Sequence, residues 1–248
     1  MRKSIKSILR IPKSIVEKIF GIRILKKLPH GLDFIHDVRE LPWPAEPNVI
    51  FDVGANIGQS AIPLSKAFPY ATIQCFEPSA KNFTALLNAT KNNNKIICHQ
   101  IGISDLNGTA SLILSEDNTM HHLSTSPSQS DHQEVINTVT LDDFYQSNKL
   151  APHLDILKID TEGHDLHVLR GAKNLLEDQS IGVVYCEVSM NQSNTFHASF
   201  EKINEFMLGN GYSLLGIYEQ ATEWSEKKPY LRRANVAFLS PALASKTI

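Results

Sequence analysis

The sequence predicts an α/β fold in which a mostly parallel sheet of seven strands carries helices on both faces and an antiparallel pair at one edge. Apolar, strand-like runs alternate with helix-like segments from about residue 47 onward, which is typical of parallel strands joined by helices. Two late apolar runs follow each other without a helix between them, which indicates the antiparallel pair. A chain of 248 residues can bury one core of this size.

The first half of the domain supplies three strands. "NVIFDV" predicts a buried strand, and a glycine turn then leads into a helix that ends at about Phe68. Pro63 fits that helix only if it begins near Gln59 or Ser60, because proline lacks the N–H that an internal position needs. "ATIQCFEP" predicts the second strand, "SAKNFTALLNATKNN" a helix, and "KIICHQIGI" the third strand. "TASLILS" indicates an added strand.

The second half supplies the other four strands. "LDILKID" predicts the fourth strand, and "GHDLHVLRGAKNLLED" predicts a helix whose apolar positions share one face: Leu166, Leu169, Ala172 and Leu176. "IGVVYCEVS" predicts the fifth strand, and "FEKINEFMLGN" predicts another helix. "YSLLGIYEQ" and "NVAFLS" are the two runs of the antiparallel pair. Lys158 falls inside a buried strand, so we expect it to pair with an acid.

The chain divides into a basic N-terminal extension and linker, residues 1–46, and a main domain, residues 47–248. Proline-rich "LPWPAEPN" cannot continue a helix and marks the border. Nine Lys or Arg and one Glu lie in residues 1–27, so the rest of the chain has a net charge of −10. We therefore expect no nucleic-acid partner, because phosphate contacts need clustered cations.

The extension repeats apolar residues at near-helical spacing among its cations. Two interpretations stay open: a peripheral segment on an anionic membrane face, or a helical arm packed on its own domain. No apolar run approaches the roughly 20 residues of a membrane-spanning helix. Cys75, Cys98 and Cys186 are odd in number and have apolar surroundings, which is typical of reduced core thiols. We expect a cytoplasmic protein.

A polar, Ser-rich stretch runs from Ser115 to Glu134. A loop of this length in a compact domain is usually functional or disordered. His121 and His122 could reach from it into a substrate site, and a solvated loop is the alternative.

A cluster of polar residues and glycines follows the first strand in "FDVGANIGQS". Asp52, Gly54, Asn56 and Gly58 match neither the GxGxxG spacing of dinucleotide sites nor the GxxxxGK[ST] phosphate loop. We expect Asp52 to face an ammonium group, while the glycines allow a close approach of the backbone. Glu77 ends the second strand, where a carboxylate can accept both hydroxyls of a ribose. A ribose and an ammonium together indicate S-adenosylmethionine (SAM).

Several segments resemble the FkbM family of SAM-dependent methyltransferases: "FDVGANIGQS", "CFEPS", "GISDLNGTASL", "TLDDF", "DILKIDTEGHDLHVLRGA", "GYSLLGIYEQ" and "ANVAFLS". The resemblance covers about Pro47 to Ser240, and "KIDTEGHD" is its most specific part. It implies a class I methyltransferase (Rossmann-like) fold and O-methylation of hydroxyls, often on sugars or polyketide-type products. "HHLS" departs from the family pattern. The expected cofactor-binding residues are Asp52, Gly54, Ala55, Asn56, Gly58, Glu77, Pro78, Asp105 and Asp160.

Candidate catalytic residues follow the fourth strand in "KIDTEGHD": Asp160, Glu162 and His164. Methyl transfer to a hydroxyl needs positioning of the two reactants and a base to remove the proton. His164 is the expected base because its ordinary pKa lies closest to neutral pH. Asp160 and Glu162 are expected to orient the reactants. One alternative is that they cap the next helix. Another, which we do not favour, is that they bind a divalent cation together with a histidine. Glu187, at the end of the fifth strand, could bind a substrate hydroxyl.

The leading hypothesis is thus a SAM-dependent O-methyltransferase acting on a glycan or another hydroxylated small molecule. A noncatalytic nucleotide-binding module is the alternative from another class. A nucleic-acid N-methyltransferase is disfavoured because the chain lacks [DNS]PP[YF], and a nicotinamide-dependent oxidoreductase is disfavoured by the glycine spacing. The acceptor and the oligomeric state do not follow from the sequence.

Overall fold

A computed structural model describes residues 13–113, 122–124, 133–150, 153–191, 194, 196–223 and 228–246. In chain order its elements are α1 (Lys13–Phe20), α2 (Phe34–Arg39), β1 (Val49–Val53), α3 (Ala61–Ala67), β2 (Thr72–Phe76), α4 (Ala80–Thr90), β3 (Ile96–His99), β4 (Gly102–Ser104), β5 (Gly108–Ile113), β6 (His122–Ser124), β7 (Gln133–Thr140), α5 (Leu141–Ser147), β8 (Leu154–Ile159), α6 (Asp165–Arg170), α7 (Lys173–Glu177), β9 (Ile181–Ser189), α8 (Phe200–Gly209), β10 (Ser213–Glu223), β11 (Lys228–Leu239) and α9 (Pro241–Ala244).

Seven strands form the central sheet in the order β10-β11-β9-β8-β1-β2-β3. The five strands from β9 to β3 are parallel, and β11 runs antiparallel to both β9 and β10. The predicted parallel sheet with an antiparallel edge pair is confirmed. The middle strands are buried along most of their length and are mainly apolar, because helices cover both faces of the sheet.

Alternate residues of the strands enter two separate cores. In β1, Phe51 and Val53 pack in one apolar cluster, while Ile50 packs in the other. Side chains alternate between the faces of a strand, so adjacent positions necessarily face opposite layers. Phe34 and Val38 of α2 also belong to the second cluster, so α2 packs on this face of the sheet. The division at residues 46 and 47 stays a prediction.

A second sheet, with strand order β4-β7-β5-β6, extends from the central one. The prediction of one continuous third strand was wrong, because the chain leaves the central sheet after His99 and β4 pairs with β7. The predicted added strand is β5. The polar stretch expected to end at Glu134 instead includes the start of β7, which pairs antiparallel with β5. Only alternate β7 side chains are buried, among them Ile136 and Thr138, so its apolar signal is weak.

The helix predicted after β8 is two helices, α6 and α7, with a break at Gly171 and Ala172. A side chain on Gly171 would place its Cβ 2.0 Å from the carbonyl oxygen of Ser104. The end of α6 therefore lies directly against the end of β4. The predicted apolar face is preserved across the break, since Leu169, Ala172 and Leu176 are all fully buried.

The segment before α2 has little contact with the rest of the protein. Apart from Glu17 and Gly31, every residue from 17 to 33 is exposed. Across the described parts of the chain, no helix combines the length and apolar character needed to cross a membrane.

Candidate active site

A cavity opens at the carboxyl ends of β1, β2 and β8. This is the edge at which open parallel sheets bind their ligands. Its wall has one polar side and one apolar side. The lining residues are Val53, Gly54, Asn56, Gln59, Ser60, Phe76, Glu77, Pro78, Asn82, Ile101, Gly102, Ile103, Leu112, Lys158, Asp160, Thr161 and Glu162.

The glycine turn after β1 is wedged between the ends of β2 and β8. The N–H of Gly54 donates to Phe76 O at 3.0 Å, and Gly54 has a φ of +77°. A Cβ there would lie 1.9 Å from the carbonyl oxygen of Asp160, so only glycine fits. Asn56 is also left-handed, with a φ of +49°. Its side-chain oxygen is buried without a hydrogen-bond partner, which leaves one acceptor in this wall for a ligand.

Glu77 ties this turn to the end of β2. Its two carboxylate oxygens accept the N–H groups of Asn56 and Ser79, each at 2.9 Å. Burial raises the pKa of Glu77 to about 7. Each oxygen keeps a second lone pair. The carboxylate can therefore still accept ligand hydroxyls from the cavity.

Asp52 does not line the cavity. Its side chain is fully buried and lies 3.0 Å from Lys158 Nζ, which is also 3.4 Å from Asp160. The expectation that Lys158 pairs with an acid is confirmed. Burial opposes the positive charge of Lys158, but Asp52 and Asp160 outweigh burial and raise its pKa. Lys158, rather than Asp52, is the charged group of this pair at the cavity surface.

Asp160 and Glu162 both line the cavity, as the turn after β8 brings them there. Glu162 is held in a left-handed conformation with a φ of +50°. Such a conformation costs a non-glycine residue about 1–3 kcal/mol and is found mostly at functional sites. Burial, together with the negative charges of Asp160 and Glu187, raises the pKa of Glu162 to about 7.

Behind Glu162 lies a cluster that also contains Glu187, His197 and Arg233. His197 Nε2 is 2.6 Å from Glu187 and 3.7 Å from Glu162, and Arg233 also pairs with Glu187. Burial disfavours the charge of His197, but the hydrogen bond to Glu187 and the charge of Glu187 raise its pKa. Glu187, expected to bind a substrate hydroxyl, is engaged by these two cations.

Sequence reasoning missed His197 and Arg233. Neither belongs to a recognisable motif, and His197 lies 35 residues beyond Glu162 in the chain. The only local signal is Gly163, whose φ of +98° and close approach to Phe196 bring the segment around His197 against the turn. A Cβ on Gly163 would lie 2.3 Å from Phe196 O.

Gly163→Ala is expected to push the His197 segment away from Glu162 and to lower turnover more than it lowers cofactor affinity. Gly209→Ala is the matched control, because Gly209 has no neighbouring atom within 4 Å of an added Cβ. Steady-state kinetics and calorimetry on both variants measure the two effects. Equal turnover in the two variants would contradict this role for Gly163.

The structure does not bring His164 to the cavity. His164 is 8% exposed and its Nε2 lies 2.9 Å from the Ser104 hydroxyl. Burial, with the neighbouring charge of His167, lowers the pKa of His164 to about 4. Asp105, one of the expected cofactor-binding residues, is 2.8 Å from His167 Nδ1 and also lies outside the cavity lining. These residues connect β4 to α6.

Of the remaining predicted site residues, some line the cavity and others do not. Pro78 lines the cavity, whereas Ala55 is buried and Gly58 supports the turn, its N–H donating to Ala55 O at 2.8 Å. His121 and the side chain of His122 lie outside the described residues.

Among the residues that the structure describes, two groups of side chains have donor atoms close enough for a metal ion: Glu162, Glu187 and His197, and separately Asp105, His164 and His167. In the first group Arg233 already neutralises Glu187. In the second, Asp105 lies 2.8 Å from His167 Nδ1, and the Ser104 hydroxyl lies 2.9 Å from His164 Nε2. Both groups are thus satisfied by contacts within the protein.

The strand order, the glycine turn and the terminal acid of β2 define a class I, SAM-dependent methyltransferase. Residues 52–214 match the family described as the methyltransferase FkbM domain. The chain belongs to the FkbM methyltransferase family, as its motifs predict.

Two curated proteins show similarity over much of the chain. The hexuronic acid methyltransferase AglP of Haloferax volcanii is 31% identical over 176 residues, which are 70% of this chain and 67% of that protein. Methyltransferase 1 of Beauveria bassiana is 25% identical over 160 residues, which are 56% of this chain and 63% of that protein.

Solved structures are more distant. The magnesium protoporphyrin IX methyltransferase of Synechocystis PCC 6803 has a TM-score of 0.48 and 10% identity, covering 92% of this chain and 79% of that one. The precorrin-6y C5,15-methyltransferase of Geobacter metallireducens has a TM-score of 0.45 and 14% identity, covering 83% and 85%. Similarity at this level says nothing about acceptor or site residues.

Proposed function

We propose that this protein transfers the methyl group of SAM to a hydroxyl of a glycan or another hydroxylated small molecule, with Glu162 as the base. The observation that carries this proposal is a carboxyl group with a near-neutral pKa, located in the cavity wall. A base with such a pKa is suited to removing a hydroxyl proton at neutral pH. The similarity to a hexuronic acid methyltransferase supports a sugar-like acceptor.

The cavity residues fit SAM. Glu77 would hold the ribose hydroxyls, and the apolar wall of Ile101, Ile103 and Leu112 would contact the adenine ring. The unpartnered oxygen of Asn56 and the carboxylate of Asp160 would hold the amino-acid end, whose ammonium is a donor to both. Lys158 keeps Asp160 oriented and Asp52 neutralised below the glycine turn.

When bound, SAM supplies a methyl group activated by a positively charged sulfur. Glu162 accepts the proton of the acceptor hydroxyl at its carboxylate. His197 lies 3.7 Å from Glu162 on the side away from the cavity, and the carboxylate of Glu187 pairs with both His197 and Arg233. The left-handed backbone at Glu162 and the close approach at Gly163 keep this carboxylate at the cavity surface. His164 does not contact the cavity. We therefore assign the role of base to Glu162 instead of His164.

The test is methyl transfer from labelled SAM to a panel of neutral hexosides, hexuronic acid glycosides and nucleic acids. Product with a sugar hydroxyl acceptor, in the presence of a chelator, is the expected result. The ion pairs that already satisfy Glu187 and His197 support chemistry without a divalent cation. A requirement for added magnesium would favour the metal interpretation. SAM binding without product on any acceptor would favour the noncatalytic module.

We also propose that the N-terminal segment rests on an anionic membrane surface. Eight large apolar side chains between residues 15 and 32 are each 36–70% exposed: Ile15, Ile19, Phe20, Ile22, Ile24, Leu25, Leu28 and Leu32. Lys18, Arg23, Lys26 and Lys27 lie among them. Each of these side chains keeps more than a third of its surface exposed, so none is buried in the core of the domain. An apolar and basic surface suits a bilayer of anionic lipids.

The protein is expected to pellet with vesicles that contain anionic phosphatidylglycerol and not with neutral phosphatidylcholine vesicles. Each cation near the surface contributes about 1 kcal/mol, and the attraction should fade as salt rises. The double variant Ile19→Ser, Phe20→Ser should pellet less than the wild-type protein. Leu106→Ser removes an exposed apolar residue of the main domain and should pellet as much as the wild-type protein. If all three proteins pelleted equally with anionic vesicles, the segment would have no membrane role.

A further inference from the structure

Cys75 and Cys98 form a pair on neighbouring strands. They are partners in the parallel register of β2 and β3, so both side chains are on the same face of the sheet. Neighbouring strands lie about 4.8 Å apart, which is within the Cα separation that a disulfide bridges. Cys75 is fully buried, whereas Cys98 is partly exposed. The pair therefore has one protected sulfur and one that solutes can reach.

The two thiols lie close enough to perturb each other's ionisation. The hydrogen bond from Cys75 lowers the pKa of Cys98 to about 6, and the hydrogen bond with Cys98 raises the pKa of Cys75. The Thr90 hydroxyl lies 3.5 Å from the Cys98 sulfur and supports its ionised form. The lowered pKa favours the thiolate form of Cys98, and thiolates are the reactive form of cysteine.

These strands also build the cofactor cavity. Glu77 lies two residues after Cys75, and its N–H donates to the carbonyl of His99, the residue after Cys98, at 3.1 Å. Ile101, Gly102 and Ile103, just beyond, form part of the cavity wall. A change in the spacing of β2 and β3 at the cysteines is thus transmitted to both the polar and the apolar side of the cavity.

We propose that Cys75 and Cys98 are a site of reversible oxidation by hydroperoxides, and that the resulting intrachain disulfide weakens SAM binding in the adjoining cavity. The disulfide requires a Cβ separation of about 3.8 Å, roughly 1 Å less than the strand spacing. Its formation draws β3 toward β2 at the point where Glu77 and His99 are bonded.

The chemistry is balanced with hydrogen peroxide as oxidant. The Cys98 thiolate attacks one peroxide oxygen, the O–O bond breaks, and a sulfenic acid and hydroxide form. The Cys75 sulfur then attacks the sulfenic sulfur, an S–S bond forms, and hydroxide leaves. The Cys75 proton and one from solvent convert both hydroxides to water. Two electrons from the thiols thus reduce one peroxide to two waters.

The test is to treat the full-length protein with hydrogen peroxide and to count free thiols after denaturation. The expected count falls from three to one, with an intact mass lower by two hydrogens, and dithiothreitol restores both. Calorimetry should show a SAM dissociation constant at least about 5-fold higher in the oxidised protein, the lower limit of usual coupling between sites. The coupling rests on the proposed placement of SAM, whereas thiol counting does not.

Three variants separate this site from general oxidation. Cys186→Ser removes a fully buried cysteine on β9 and should still form the disulfide and show weaker SAM binding on oxidation. Cys98→Ser should keep both remaining thiols. Cys75→Ser should form no intrachain disulfide, and its Cys98 should stop at the sulfenic acid or a higher oxidation state. Three free thiols after peroxide, or a disulfide in Cys98→Ser, would overturn the site. Unchanged SAM affinity in an oxidised protein that contains the disulfide would overturn the coupling.

Discussion

Glu162→Gln is expected to lower methyl-transfer turnover by about 10²–10⁴-fold, the range expected for loss of a general base, and to leave SAM affinity nearly unchanged. The amide keeps the size of the side chain but cannot accept the hydroxyl proton. The two effects separate base catalysis from cofactor binding, and steady-state kinetics with calorimetry measures both.

The control for this substitution is Glu177→Gln, which makes the same chemical change on the exposed surface of α7 and should retain full activity. His164→Asn provides a second comparison, because His164 was the base expected from the sequence. If His164→Asn lost turnover and Glu162→Gln did not, the roles proposed from the structure would be reversed.

The pH profile gives an independent check on the same residue. Burial raises the pKa of Glu162 to about 7, and only the ionised carboxylate accepts a proton. Turnover by the wild-type protein should therefore rise as pH increases through about 7 and then level off. The residual activity of Glu162→Gln should lack this rise. A wild-type rate that is flat from pH 5.5 to 8.5 would argue against a Glu162 base.

Glu77→Ala is expected to weaken SAM binding by about 1.5–3 kcal/mol, the usual range for a hydrogen bond to a charged group. The change removes the carboxylate proposed to accept the ribose hydroxyls, and also the acceptor of the Asn56 and Ser79 N–H groups. Calorimetry on a variant shown to be folded by circular dichroism measures the loss.

Asp142→Ala is the matched control for Glu77→Ala. Asp142 also accepts two backbone N–H groups, those of Asn174 and Leu175, but it does not line the cavity. It should lower thermal stability without changing SAM affinity. Unchanged SAM affinity in Glu77→Ala would remove the ribose assignment.

The raised pKa of Glu77 adds a pH signature to SAM binding. Its carboxylate is ionised above about pH 7 in the free protein, and the ionised form is the better acceptor of ribose hydroxyls. SAM affinity should therefore fall as pH decreases below about 7. Glu77→Gln should bind SAM weakly and show a smaller dependence on pH.

The alternation of apolar runs and helical segments was enough to predict the central sheet, because buried parallel strands are apolar along their length. The glycine turn and Glu77 were also predictable, since each lies at the end of a strand and parallel strands end at one edge. β7 was missed because only alternate residues of a strand at the surface are buried. The break at Gly171 was missed because its cause, the close approach of Ser104, is a contact between distant segments.

The sequence by itself determined the fold class, the family and the position of the glycine turn, all of which depend on local patterns. Only the tertiary structure decided which side chains reach the cavity. His164 and Glu162 are two residues apart, but the backbone between them turns through left-handed conformations at Glu162 and Gly163. As a result, His164 lies against β4, whereas Glu162 lines the cavity. His197 and Arg233 join Glu162 from distant segments, and their charges interact only because folding brings them within a few ångströms in a partly buried site.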